Sequence, residues 1–221
     1  MKVLLLKPLM ALQARHHTDE GHTLRIRRWS CASHIKKACG KVRKMSWKSR
    51  GLRGSYFEEV INLTNDHYRE KKIALVQKIP TPITPIEIDK ETRHITLAYF
   101  DQKSTVDYIG IAQGIPICFD CKECAAESFA LQNVHPHQVQ FMKEYKQQGG
   151  IAFLLIYYTK KDMVYYMKVD ELDRFYSRAE EGGRKSVAFD ELDKKFLFPV
   201  NQSMYINYLE FVNVELSESE E

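Results

Sequence analysis

The chain has 221 residues, 44% of them hydrophobic, with a formal net charge of +4 and a pI of about 8.7, which suits one globular domain with extra segments at its ends. No apolar run reaches the roughly 18 residues of a membrane span. Five cysteines without framework-like spacing point to a reducing cytosol, so membrane-spanning and secreted disulfide-rich classes are set aside.

Charge is unevenly placed. Residues 1–54 hold 14 Lys+Arg against 2 Asp+Glu, which leaves 19 of the 33 basic and 27 of the 29 acidic residues for the remainder. Such a basic arm reads as a phosphate-binding segment or an address signal. Its opening, Lys2-Val-Leu-Leu-Leu-Lys7, mimics a signal peptide, but Lys7 interrupts the apolar run and no clean cleavage site follows. Residues 1–44 carry no helical or strand period. Met45 is therefore the expected start of translation, with residues 1–44 either a mis-assigned extension or a disordered arm.

Ser55 to Lys71 reads as a helix. Ser55 can cap it with Glu58 at the third helical position. Phe57, Val60, Ile61 and Thr64 share one face; Glu58, Asn62 and Asn65 lie on a neighbouring one. On these residues alone Glu58 reads as a cap. Ile73–Lys78 follows as a buried strand. Three prolines in Ile79-Pro-Thr-Pro-Ile-Thr-Pro85 favour extended chain. Ile86–Phe100 then alternates as a hairpin with a polar tip at Asp89–Arg93, either an inserted arm or an edge hairpin of the main sheet.

Thr105–Ile111 and Ile115–Lys122 read as two strands, with Gly110 and Gly114 easing the turn between them. Asp120 and Lys122 share a face, while Ile117, Phe119 and Cys121 point to the core. If the strands pair, Asp107 converges on Asp120. Two carboxylates suit a hard cation such as magnesium, and a neighbouring lysine can orient or deprotonate the attacking water or stabilise phosphorane charge. This is the pattern of the PD-(D/E)xK nucleases. A solvated hairpin face with an incidental ion pair is the alternative on spacing alone. Cys118, Cys121 and Cys124 alternate faces, so they read as buried fillers rather than metal ligands.

Residues 123–133, ECAAESFALQN, read as a loop. A second helix runs from about His135 to Gln148, with Val139, Met142 and Tyr145 on its apolar face and His137 and Gln138 near its start. A zinc site at His135 and His137 lacks partners at zinc spacing. Ile151–Thr159 is a central strand covered on both faces, and Asp162–Val169 pairs with it. Asp170 is the expected cap of a short helix to about Arg178. Glu181-Gly-Gly-Arg-Lys-Ser186 reads as a phosphate-approaching loop or a plain turn. Phe189–Val214 is mostly irregular, with a last strand or helix near Tyr205–Val212, and residues 215–221 form an acidic disordered tail.

In order, RGSYFEEVINLTNDHY, KIPTPI, AYFDQKSTVDYIG, ICFDCKE, HPHQVQFMK, GGIAFLLI and GGRKS closely resemble the motifs of the RecU-type Holliday junction resolvases of Gram-positive bacteria, over about Gly51 to Val212. The resemblance implies an α/β, restriction-endonuclease-like fold, with a mixed central sheet flanked by helices and a proline-rich β-hairpin stalk at about 78–100. It implies a nuclease domain over residues 45–214, homodimeric, cytoplasmic in a bacterium and with no membrane partner. That domain would resolve four-way junction DNA by paired, Mg²⁺-dependent nicks in recombination and repair, with a recombinase as a further partner. Carried over by position, Asp107, Asp120 and Glu58 are metal ligands and belong to the catalytic set, with Thr105 also at the metal. Lys122 is the catalytic lysine, and Gln138 belongs to the catalytic set. The basic residues placed to meet DNA are Lys78, Lys90 and Arg93 on the stalk and Arg184 and Lys185 in the glycine-containing loop. Two positions depart from the family: Asp120 stands where a glutamate is usual, and ECAAES replaces a stretch usually richer in Lys and Asn. They leave open a junction-binding, recombinase-modulating protein with little catalysis.

Overall fold

The computed structural model describes residues 56–100, 105–200 and 205–219; the N-terminal arm, the Met45 start and the Ser55 cap lie outside them. Helix α1 spans Tyr56–Glu70 and buries Phe57, Val60, Ile61 and Thr64, the face its period predicts. Asn65 is buried as well, because the Tyr208 hydroxyl donates to its Oδ1 at 2.6 Å.

Strand β1 (Ala74–Lys78) is an edge strand, not the buried one expected: Ala74 alone is buried and Leu75 is 61% exposed. A strand paired on one side only has half its surroundings missing. Strands β2 (Ile83–Ile88) and β3 (Ile95–Phe100) form a hairpin that is a two-stranded sheet of its own, not an edge of the main one. It begins three residues earlier than the alternation suggests and includes Pro85. The ladder slips between Pro85 and Glu87, where proline has no N–H to give. At the tip Asp89 accepts the Glu91 N–H at 2.9 Å and the Thr92 hydroxyl at 2.7 Å.

Strands β4 (Tyr108–Ala112) and β5 (Ile115–Cys124) pair antiparallel with Tyr108 opposite Phe119. The turn rests on Gln113 (φ 49°) and Gly114 (φ 91°), both left-handed, as a two-residue hairpin turn needs. Gly110 serves a different purpose from the turn expected of it. A Cβ there would stand 2.7 Å from the Val76 Cα, so its glycine allows β1 to lie close.

The stretch expected as a loop instead continues β5 to Cys124 and forms β6 (Ser128–Ala130). Then come α2 (Pro136–Gln147), β7 (Ile151–Tyr158), β8 (Met163–Lys168), α3 (Val169–Glu180), β9 (Ser186–Ala188), β10 (Leu197–Pro199) and α4 (Leu209–Ser219). Strand β6 pairs with β9. Asp170 lies within the first turn of α3; the cap position is Lys168. The tail expected to be disordered from residue 215 is helical to Ser219. Glu215 is buried and accepts the Tyr166 hydroxyl, and Glu218 pairs with Lys168 and Lys195.

The main sheet runs β1-β4-β5-β7-β8-β10, with β5 and β7 parallel at its centre. Helix α2 makes the crossover between them, as a parallel pair requires. Both faces of β5 are therefore covered. Cys118 and Asp120 are as fully buried as Ile117 and Phe119, so the core is not confined to the face of Ile117, Phe119 and Cys121. On the Phe119 side lies a rank of stacked rings: Tyr108–Phe119 and Phe119–Phe153 at 4.8 Å, then Phe153–Tyr166 at 4.4 Å. Helix α1, Tyr208 and α4 cover this rank; α2 and α3 cover the side of Asp120. Among the described residues no helix is long and apolar enough to cross a membrane.

Candidate active site

The site forms where β4 begins and β5 approaches its end. The register that sets Tyr108 opposite Phe119 brings Asp107 beside Asp120. Strand β4 starts at Tyr108, not at Thr105, and the Asp107 carboxylate takes over from the backbone there: its Oδ2 accepts the Cys121 N–H at 3.1 Å. The Ile79 N–H donates to the Asp107 carbonyl at 2.8 Å, which ties the root of the hairpin to the same point.

Asp120 has no exposed surface. Its Oδ1 accepts from Gln138 Nε2 at 3.2 Å, and Gln138 Oε1 accepts the His135 N–H at 3.0 Å. Its Oδ2 is ion-paired with the Lys122 ammonium yet accepts no aligned hydrogen bond. Burial, reinforced by the charge of Asp107 and opposed by Lys122, pushes the Asp120 carboxyl up to about 7. Burial likewise holds the Tyr108 hydroxyl far above its ordinary value, so it stays protonated and acts as a donor. A buried carboxylate oxygen with no aligned donor, next to a second carboxylate, is a donor set that fits a hard divalent cation.

The structure brings together Asp107, Asp120, Lys122 and Gln138. Glu58, on α1, has its carboxylate paired with Lys78 at the end of β1. Thr105 is half-buried two residues before Asp107. Among the described residues no three His, Cys, Asp or Glu side chains converge as a ready cation cage. Lys90 and Arg93 are exposed at the hairpin tip, and Arg184 and Lys185 are exposed ahead of β9. His135 and His137 stack on one another at 5.4 Å at the start of α2.

Two contacts near the site escaped the sequence reading. Glu123 Oε1 accepts the Phe57 N–H at 3.0 Å and so holds the start of α1 against the end of β5. The Tyr108 hydroxyl donates to Asn62 Oδ1 at 2.9 Å. Lys78, expected to face DNA, holds Glu58.

The sequence profile described as "RecU: Recombination protein U" matches residues 52–214. Proteins named Holliday junction resolvase RecU are similar along most of their length. The one from Limosilactobacillus reuteri (strain DSM 20016) is 39% identical over 147 residues, 65% of this chain and 72% of that protein. The Bacillus subtilis (strain 168) protein is 37% identical over 166 residues, 73% and 79% of the two chains. That of Lactococcus lactis subsp. lactis (strain IL1403) is 37% identical over 186 residues, 82% and 85%. The solved structure of Archaeoglobus fulgidus Hjc, a Holliday junction resolvase, aligns with a TM-score of 0.32 at 10% identity over 53% of this chain and 78% of that one, a likeness too slight to bear on the fold. Matched from residue 52 to residue 214, the chain belongs to the RecU family.

Proposed function

We propose that the protein is an endonuclease that resolves four-way DNA junctions, acting as a homodimer with Mg²⁺ at Asp107 and Asp120. The observation that carries this reading is the meeting of those two carboxylates, with Lys122 beside them, in a chain whose relatives are named Holliday junction resolvases. Magnesium, when bound, supplies charge neutralisation at the scissile phosphate and lowers the pKa of a coordinated water.

The chain's own side chains do the rest. Asp107 and Asp120 would hold the cation, with Glu58 and Thr105 beside it. Lys122 exchanges its contact with Asp120 for the attacking water or the phosphate oxygen, where an ammonium offsets developing negative charge. Gln138 keeps Asp120 in place during that exchange. Lys78, Lys90, Arg93, Arg184 and Lys185 neutralise phosphates. Two symmetric nicks call for two sites on a two-fold axis, hence the dimer. The hairpin, exposed on both faces, enters the open centre of the junction.

The test is cleavage of an end-labelled four-way junction with and without Mg²⁺, with analytical ultracentrifugation of the same sample. Paired nicks that need Mg²⁺, made by a dimer, are expected. Tight junction binding without any Mg²⁺-dependent nicking would sink the nuclease reading and leave a junction-binding protein.

A further inference from the structure

Tyr108 touches all three elements that carry the acids of the proposed site. Its backbone follows Asp107 directly and stands opposite Phe119, the residue before Asp120. Its fully buried ring stacks on Phe119 at 4.8 Å with 12° between the planes. Its hydroxyl donates to Asn62 Oδ1 at 2.9 Å and stands 3.4 Å from the Glu58 carbonyl oxygen. Asn62 lies one turn after Glu58, so the hydroxyl grips the first turns of α1 at the residue that presents the third acid.

We propose that Tyr108 is a positioning residue for the cleavage reaction: its hydroxyl fixes where α1 presents Glu58 relative to Asp107 and Asp120. The inference rests on the proposed place of Glu58 in the cation site. A core residue would need the ring alone; here the ring packs and the hydroxyl reaches another element.

The rest of α1 is fastened independently. Thr64 Oγ1 accepts the Ile206 N–H at 3.0 Å, and Tyr208 reaches Asn65. Losing the Tyr108 hydroxyl therefore loosens the Glu58 end and leaves the helix seated. The other contacts at that end are softer in what they fix: the Phe57 ring stacks on Tyr157 at 5.4 Å without direction, and the Phe57–Glu123 and Glu58–Lys78 contacts involve partly exposed side chains that water competes for.

Tyr108→Phe keeps the ring and removes the hydroxyl. Calorimetric titration of the DNA-free protein with Mg²⁺ should show a dissociation constant raised at least about fivefold, the scale of one lost hydrogen bond. Cleavage should fall most at limiting Mg²⁺ and recover at high Mg²⁺, with junction affinity in Ca²⁺ unchanged. Asn62→Leu removes the acceptor instead and should give the same shift, and the double variant should add little to either single one. A lowered melting temperature with unchanged Mg²⁺ affinity in both variants would overturn the proposal, since the hydroxyl would then only pack. Glu58→Gln separates the two readings. If it leaves Mg²⁺ binding untouched, Glu58 has no place in the site; if it weakens binding while Tyr108→Phe does not, the positioning claim alone fails.

Discussion

Gln138 joins the fully buried Asp120 to the first turn of α2, donating from Nε2 to Asp120 Oδ1 at 3.2 Å while its Oε1 takes the His135 N–H at 3.0 Å. The helix that connects the two parallel strands thus also holds the site's buried carboxylate. Its amide satisfies one oxygen of Asp120 and leaves the other to Lys122 or a cation.

That arrangement has a pH signature. Burial first, and the nearby charge of Asp107 second, lift Asp120 to about 7. Between roughly pH 4 and 7 the folded protein holds a proton that the unfolded chain has lost, so the cation-free protein loses stability as pH rises through that window. A cation must displace the same proton. The Mg²⁺ concentration for half-maximal cleavage should fall about tenfold per pH unit from pH 5 to 7, and level off above. A flat Mg²⁺ requirement across that range would mean that Asp120 is already ionised in the folded protein.

Asp107→Asn and Lys122→Ala test the chemistry directly. Each removes a charge from the reacting region, and each should slow junction cleavage at least about a hundredfold. Junction binding in Ca²⁺ should survive in both. Near-normal turnover in either variant would show that the nicking groups lie elsewhere.

The hairpin is separable from the core. Among the described residues its strands pair only with each other, and Ile86, Leu97, Tyr99 and Phe100 are all exposed. Replacing Thr84–His94 by a short Gly/Ser link should leave a folded protein with its Mg²⁺ binding intact. Affinity for a four-way junction should drop towards the duplex value while duplex affinity changes little. Both constants are to be measured at one salt concentration, because phosphate contacts make each salt-dependent. An unchanged junction-to-duplex ratio would assign selectivity to another surface.

Glu215 offers a stability test remote from the site. Burial raises its carboxyl above the ordinary value, while the Tyr166 hydroxyl partly offsets this. A carboxyl raised on folding favours the folded state in acid and weakens it as pH climbs towards the raised value. Glu215→Gln keeps an acceptor for Tyr166 without the charge. Its melting temperature should exceed the parent's at pH 8, with the gap closing towards pH 4. Glu215→Ala strands the buried Tyr166 hydroxyl and should cost about 1–3 kcal/mol. Equal melting temperatures for the Gln variant and the parent at both pH values would place Glu215 in water.

Much of this architecture was legible from short-range pattern. Alternation in 115–122, the apolar run 151–158 and the period of α1 each report on neighbours within one element, and all three elements are present. The same alternation brought Asp107 opposite Asp120, because a two-residue turn fixes register. What stayed hidden depends on partners far along the chain. Ile73–Lys78 reads as buried, yet its place at the edge is decided by which strand pairs with β4. Residues 215–219 read as a solvated acidic tail, because Lys168, Lys195 and Tyr166 are not visible from there. Glu58 reads as a cap, and no local rule couples it to Lys78 or sets Tyr108 beneath it.

The C-terminal helix carries a consequence for synthesis. Tyr208 and Phe211 lie against Phe119, Phe153 and Tyr166. Until they leave the ribosome, the part of the aromatic rank around Phe153 and Tyr166 that Tyr208 and Phe211 cover stays open, although every proposed catalytic side chain was made long before. A nascent chain that pauses ahead of Tyr205 would present that surface to chaperones or to other nascent chains. Maturation of the nuclease then waits on Tyr208 and α4, and a nonsense mutation just ahead of Tyr205 should yield insoluble protein rather than a shortened enzyme.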